Sequence, residues 1–160
     1  MNYTSEKCRH CGQSTTYILP LDKGSANIVY AIARAIGEKR INAVHPRKEI
    51  EGRYLTSNQI GNLSRPRFHG LIARIKGNPG NYCLTNKGAA FLRNEPVQRF
   101  AIISKTERRQ IGYYEPEKNT ITAKELLHGD EQYWEAVNYE ITEGDIIRKP
   151  SVKVEEGTLL

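Results

Sequence analysis

The sequence has few of the residues that secreted and membrane proteins rely on. Its 160 residues include three cysteines and one tryptophan. A disulfide framework would show an even and denser set of cysteines, so we expect the protein in the reducing cytoplasm. No apolar run approaches the roughly 20 residues that span a bilayer, and the N-terminus lacks the basic-then-apolar pattern of a signal peptide. These absences predict no membrane partner.

Acidic residues are missing from one long stretch. Between Glu51 and Glu95 there is no Asp or Glu, whereas seven Lys and Arg residues occur there. Residues 1–109 hold 19 Lys and Arg against 7 acids, a balance of +12, and residues 110–160 hold 5 against 11, a balance of −6. A solvated surface usually intersperses both signs, so the basic part is expected to meet an anionic partner. Chance clustering in a basic protein is the alternative.

The first half of the central region predicts a helix and two short elements. Apolar residues recur at three- and four-residue spacing over 25–36, which predicts a helix capped by Ser25 and ended by Gly37. A short apolar segment at 41–44 predicts a strand. Pro46 can open a brief helix after it.

A second clear helix is predicted after Thr56, which can cap it, and Gly70 stands where a helix end needs a left-handed residue. Strand patterns at 71–75 and 82–85 then flank a turn, and Thr85 can cap a closing helix. The resulting order is helix, turn, helix, strand, turn, strand, helix, which is typical of a winged helix-turn-helix domain. The predicted core beneath the hairpin consists of Leu71, Ile75, Leu84, Phe91 and Leu92.

This region resembles winged-helix transcription regulators. The residues that carry the resemblance are Gly70-Leu71-Ile72, then Tyr82, Leu84-Thr85, Gly88 and Phe91-Leu92. The chain also resembles uncharacterised phage- and mobile-element-borne proteins that combine an N-terminal C-x-x-C-G, a winged helix and a short β-rich tail. Pro66 stands where such proteins tend to have leucine, which predicts a shorter or bent recognition helix.

The resemblance implies an α+β fold with a winged helix at 24–95 and a role in transcription regulation. Winged helices insert one helix into the major groove of double-stranded DNA and touch the backbone with the wing. Asn and Gln can pair with adenine, and Arg with guanine. The residues expected to face the groove are Ser57, Asn58, Gln59, Asn62, Arg65 and Arg67. Those expected in or beside the wing are Arg74, Lys76 and Asn78.

Two other functions stay open at this stage. The winged helix could bind another protein instead of DNA. A nuclease or an accessory DNA-processing protein is the remote alternative, because no Gly-rich phosphate loop and no carboxylate cluster within the basic region indicates catalysis. We therefore expect a binding protein and no enzyme.

The segment 1–20 has the pattern of one zinc knuckle, with Cys8, Cys11 and Gly12 in a C-x-x-C-G motif. A structural zinc site needs four ligands, so zinc is the candidate cofactor and a knuckle without metal is the alternative. Candidates to complete the site are His10, His45, His69, His128, Cys83 or the same knuckle of another subunit.

The segment 96–138 predicts a β-hairpin and a short helix that opens with a capping box at Thr122 and Glu125. An isolated hairpin is marginal in water, so this extension is expected to dock on its own domain, with a homodimer as the alternative. Residues 139–160 are expected to form a partly disordered tail.

Overall fold

The computed structural model describes residues 7–39, 43–114 and 119–127. These residues form an α+β architecture of short elements. The helices are α1 (Lys23–Lys39), α2 (Pro46–Glu49), α3 (Ser57–Ile60), α4 (Ser64–Phe68), α5 (Asn86–Leu92) and α6 (Ala123–Leu126). The strands are β1 (Thr16–Pro20), β2 (Ile72–Arg74), β3 (Tyr82–Leu84), β4 (Val97–Gln98), β5 (Phe100–Ser104), β6 (Arg109–Tyr113) and β7 (Thr120–Ile121). None of the helices in this part of the chain has the length and apolar character needed to cross a bilayer.

Helix α1 forms the centre of the core and packs against α4, α5, α6 and β3. Its residues from Ala26 to Ala33 are all buried, with the exception of Asn27. The run from Ile28 to Ile32 is almost fully enclosed. The predicted cap was wrong, because the Asp22 carboxylate accepts the Ser25 N–H at 2.8 Å and the helix begins at Lys23. The predicted end at Gly37 was also wrong, since the helix continues through it to Lys39.

Helix α2 begins at Pro46 as predicted, and His45 caps it by accepting the Lys48 N–H at Nδ1. Of the predicted strand at 41–44, the first two residues lie outside the described ranges. Val44 makes two backbone hydrogen bonds with Tyr82, at 2.9 and 2.8 Å. The segment at Val44 therefore pairs with the edge of the β2–β3 hairpin as a third, very short strand.

The helix predicted after Thr56 is divided into α3 and α4 with a turn between them. Thr56 and Gln59 form a capping box, which confirms the predicted cap. Pro66 has no N–H to donate to the Asn62 carbonyl, and this carbonyl accepts from Arg65 at 3.1 Å instead. A shorter or bent helix was expected at Pro66, and α4 has only five residues.

The end of α4, the hairpin and α5 meet at one tight junction. Gly70 has the predicted left-handed backbone, with φ at 76°. The Thr85 hydroxyl donates to the Gly70 carbonyl at 2.6 Å and accepts the Gly88 N–H at 2.9 Å, so the predicted cap of α5 also reaches across to the end of α4. A Cβ on Gly88 would overlap the Leu71 carbonyl oxygen. The apolar residues predicted beneath the hairpin are all buried.

A second sheet, in the order β1–β5–β6, pairs a strand near the N-terminus with the hairpin of the extension. The predicted hairpin is confirmed as β5 and β6, connected by a turn at 105–108. Strand β1 was not predicted, because its residues were assigned to the polar N-terminal segment. It pairs antiparallel with β5, with Tyr17 opposite Ile103 and Leu19 opposite Ala101.

The capping box at Thr122 and Glu125 is confirmed at the start of α6. Ile121, Ala123 and Leu127 belong to the same buried cluster as α1, so the described part of the extension docks on its own domain as expected. The predicted tail at 139–160 lies outside the described residues.

We expect Gly88→Ala to destabilise the fold by about 3 kcal/mol, since the added methyl group would overlap backbone that cannot move without opening the junction. Gly112→Ala is the matched control, because a Cβ at this strand position meets nothing within 4 Å. Urea unfolding of both variants measures the difference. Equal free energies of unfolding would show that the close approach at Gly88 is not a constraint.

Candidate nucleic-acid interface

The outer face of α3 and α4 carries most of the residues predicted to contact bases. Ser57, Asn58 and Asn62 are exposed, and Gln59 is half-buried. The Asn62 amide donates to the Asn58 carbonyl at 3.0 Å. The Gln59 side-chain oxygen accepts the Thr56 N–H at 2.8 Å. Gln59 therefore stabilises the start of α3, and its amide is less available for a base than predicted.

Arg65 lies beside these residues and is held by an acid that the sequence analysis did not include. Its guanidinium is 3.6 Å from the Asp22 carboxylate, and both side chains are about two-fifths exposed, at 40% and 43%. Asp22 precedes the acid-free stretch in sequence but lines the same depression as Gln59, Asn62 and Arg65. An exposed ion pair contributes little to stability, about 0–1 kcal/mol, so Arg65 can exchange this partner for another anion.

Arg67 does not lie with the other predicted groove residues. Its guanidinium stacks on the Phe68 ring, 4.7 Å from the centroid. Together with Ser64 and Phe68 it lines a second cleft, between α4 and the β1–β5–β6 sheet. Pro66 is buried between Arg65 and Arg67, and the two arginines line different depressions on either side of α4.

The predicted wing residues occupy the hairpin formed by β2 and β3. Arg74 is half-buried at the end of β2, whereas Lys76 and Asn78 are exposed in the turn. The Asn78 N–H donates to the Ile75 carbonyl at 3.3 Å, and its own carbonyl accepts from Asn81. The tip thus presents a lysine and a side-chain amide on an ordered turn.

His69 follows α4 and is buried, with 1% of its surface exposed. Neither ring nitrogen makes a hydrogen bond of good geometry. Burial, together with the smaller effect of the nearby Lys87 charge, lowers the pKa of His69 to about 4, while the Leu19 and Pro20 backbone and the Asp22 charge act weakly in the opposite direction. His69 is therefore an uncharged core residue at neutral pH.

The Cys8–Cys11 segment folds as a tight turn. The Gly12 N–H donates to the Cys8 carbonyl at 2.9 Å, with φ of Gly12 at 71°, and the Cys8 N–H donates to Gln13 at 2.7 Å. Backbone N–H groups of Cys11 and His10 lower the pKa of Cys8, since they stabilise the thiolate. The turn can therefore present Cys8 as a metal ligand.

The ligands proposed to complete a zinc site are not assembled around this turn. In the described ranges no group of three His, Cys, Asp or Glu side chains is arranged to hold a metal ion. His45 caps α2, while His69 and Cys83 are buried. Burial raises the pKa of the Cys83 thiol to about 11, which disfavours the thiolate that zinc needs. His128 lies outside the described residues.

We expect His69 to make the protein less stable as the pH falls from about 6.5 towards 4. The pKa of the folded state lies below that of the unfolded chain, so the stabilisation is complete above pH 6.5 and is lost as the unfolded state takes up the proton. The loss should reach about 3 kcal/mol. Urea unfolding at several pH values should show a weaker pH dependence in His69→Gln.

The exposed His10 provides the control, because His10→Gln should retain the wild-type pH dependence. If His69→Gln and His10→Gln gave the same profile, the burial of an uncharged imidazole would not contribute to acid sensitivity.

Comparison with protein-family models, with curated proteins and with solved structures finds no significant match. The function proposed below therefore depends on the residues and geometry of this chain.

Proposed function

We propose that the chain is a DNA-binding protein whose residues 24–95 form a winged helix-turn-helix domain. In this assignment α2, the turn that follows, and α3–α4 form the helix-turn-helix, with α3–α4 as the recognition segment. The hairpin β2–β3 forms the wing, and the pairing of Val44 with Tyr82 supplies the third strand that winged helices place beside it. Helices α1 and α5 pack behind these elements.

The observation that carries the proposal is where the acid-free stretch lies in the fold. Residues 52–94 form α3, α4, the β2–β3 hairpin and α5, so the proposed recognition segment and wing hold only positive charges of their own. The exposed Asn58 and Asn62 lie on the same segment as Arg65. A basic surface that presents amide side chains on a helix suits a major groove, where phosphates provide affinity and base edges provide selectivity.

Transcription regulation of the phage or mobile-element type is the role that fits the resemblance described above. A protein-contact module is the alternative. The two differ in one respect, since only DNA binding requires attraction to a polyanion and therefore a steep dependence on salt.

The test is fluorescence anisotropy with a random-sequence duplex at 50 and 200 mM salt. We expect the affinity to fall roughly tenfold or more between them, because each phosphate contact releases counterions. Circular dichroism of the same samples confirms that the protein is folded. A folded protein that does not bind at 50 mM salt would overturn the proposal and favour the protein-contact alternative.

Two variants separate base contact from phosphate contact. Lys76→Gln should weaken binding to every duplex and reduce the salt slope by about 1. Asn62→Ala should keep the slope and lose about 1–3 kcal/mol on a duplex selected from genomic fragments, but not on random duplex. Identical behaviour of the two variants would contradict the assignment of recognition segment and wing.

Zinc binding at Cys8 and Cys11 stays a prediction, since these residues supply two of the four ligands that a structural zinc needs. Elemental analysis of protein purified without chelator tests it. One zinc per chain indicates a complete site within the chain, and half a zinc per chain indicates a site shared by two subunits. Zinc at trace level, equal to that of Cys8→Ser, would leave the knuckle without a metal role.

A further inference from the structure

A second basic cleft lies between α4 and the sheet of β1, β5 and β6. Its volume is about 360 Å³. Tyr17, Phe68 and Ile103 form apolar walls. Two serines, Ser64 and Ser104, contribute hydroxyl groups.

The charged residues that line this cleft, among those that the structure describes, are all positive. Arg67 reaches it from α4, and Lys105 and Arg108 reach it from the turn between β5 and β6. The turn contains one acid, Glu107, but its carboxylate pairs with Arg109 at 3.3 Å. Within the part of the chain that the structure describes, Lys105 and Arg108 have no carboxylate partner. A cleft that is lined by positive charges and has apolar walls strengthens the electric field that attracts an anion.

The backbone at Arg108 adds an independent argument. Its φ is +54°, in the left-handed region where residues other than glycine are disfavoured. Glycine would suit this turn position better, because it adopts a positive φ without steric cost. The turn therefore holds a cationic side chain beside the cleft although its backbone conformation is unfavourable for arginine. Unfavourable backbone conformations of this kind concentrate at binding sites.

We infer that this cleft binds a phosphate of the DNA backbone, so that the β5–β6 turn acts as a second backbone contact beside the wing. The inference rests on the proposed function. Ser64 and Arg67 lie on α4 with Arg65, directly after the turn that holds Asn62, and a helix in the major groove is flanked by phosphate strands. The turn brings Lys105 and Arg108 to the flank of that segment, and the Ser64 hydroxyl can donate to the same phosphate, whereas the buried Ser104 hydroxyl accepts the Glu107 N–H at 3.1 Å and stabilises the turn.

The experiment measures anisotropy of a fluorescent random-sequence duplex against salt for Lys105→Gln, Arg108→Gly and the double variant. Each single variant should weaken binding at low salt, and the double variant should lose roughly tenfold in affinity and reduce the salt slope by about 0.9, because it removes one phosphate contact. Arg108→Gly should not lower the thermal midpoint, because glycine relieves the left-handed backbone. Lys105→Gln tests the same cleft without changing a backbone preference.

Arg109→Gln is the matched control, because it removes the same charge from the same hairpin outside the cleft. It should keep the wild-type slope. If the double variant matched Arg109→Gln in affinity and slope while the wild type bound duplex, the inference would be overturned and the proposed function would stand. If the folded wild type did not bind duplex at all, the proposed function would fall, and this inference with it.

Backbone amide shifts give a second readout that does not depend on substitution. Adding duplex should move the amide resonances of residues 104–108 together with those of α4. Shifts confined to α3, α4 and the wing would overturn the inference even if binding is tight.

Discussion

The close approach of α5 to the end of α4 is the constraint on which the candidate interface depends. Gly88 comes so near the Leu71 carbonyl that no side chain fits between them. The Thr85 hydroxyl closes the same junction by donating to Gly70 and accepting from Gly88. Because the hairpin begins at Ile72 and ends just before Thr85, this junction sets the position of the proposed wing relative to the recognition segment. Affinity for a duplex requires both to reach it together.

Helix α1 connects this junction to the rest of the described residues by packing against it and against the extension. It is buried on nearly every side, and its neighbours come from the proposed winged helix and from the extension alike. Ile121 and Leu127 share its core, and the Asn94 side chain accepts the Lys124 N–H at 3.1 Å. The end of the extension therefore shares the core of α1, while Ala101 and Ile103 of β5 form a second buried cluster with Leu19 of β1. Lys87 also hydrogen-bonds Tyr113, so α5 is held to the β5–β6 hairpin.

Features that depend on a few neighbouring residues could be predicted from the sequence. The caps at Thr56, Thr85 and Thr122 follow from side chains that accept a backbone N–H three residues further along, and the left-handed Gly70 follows from the end of a helix. The helix α1 shows the limit of this reasoning. Asp22 and Ser25 are both good caps, and only the packed structure, which buries Ser25, decides between them.

Features that depend on distant residues could not be predicted. Strand β1 pairs with β5, which lies some eighty residues away in the sequence. Its five residues have no clear alternation of polar and apolar side chains, so the sequence does not predict this pairing. Arg67 was predicted to share a face with Arg65, whereas the turn before α4 and the sheet beside it place Arg67 in another cleft. The sequence could therefore predict helical structure in this segment but not the faces on which its side chains lie.

Asp22 shows how one residue can serve both fold and interface. Its carboxylate caps α1 through Ser25 and also attracts Arg65, so an acid remains beside a surface that is otherwise basic. Replacing it would remove the cap, which contributes about 1 kcal/mol. The exposed pair with Arg65 is weak by comparison, and a phosphate or a guanine can displace it at little cost. The acid thus holds the Arg65 guanidinium beside the start of α1, and under the proposed function a duplex would take Asp22's place as its partner.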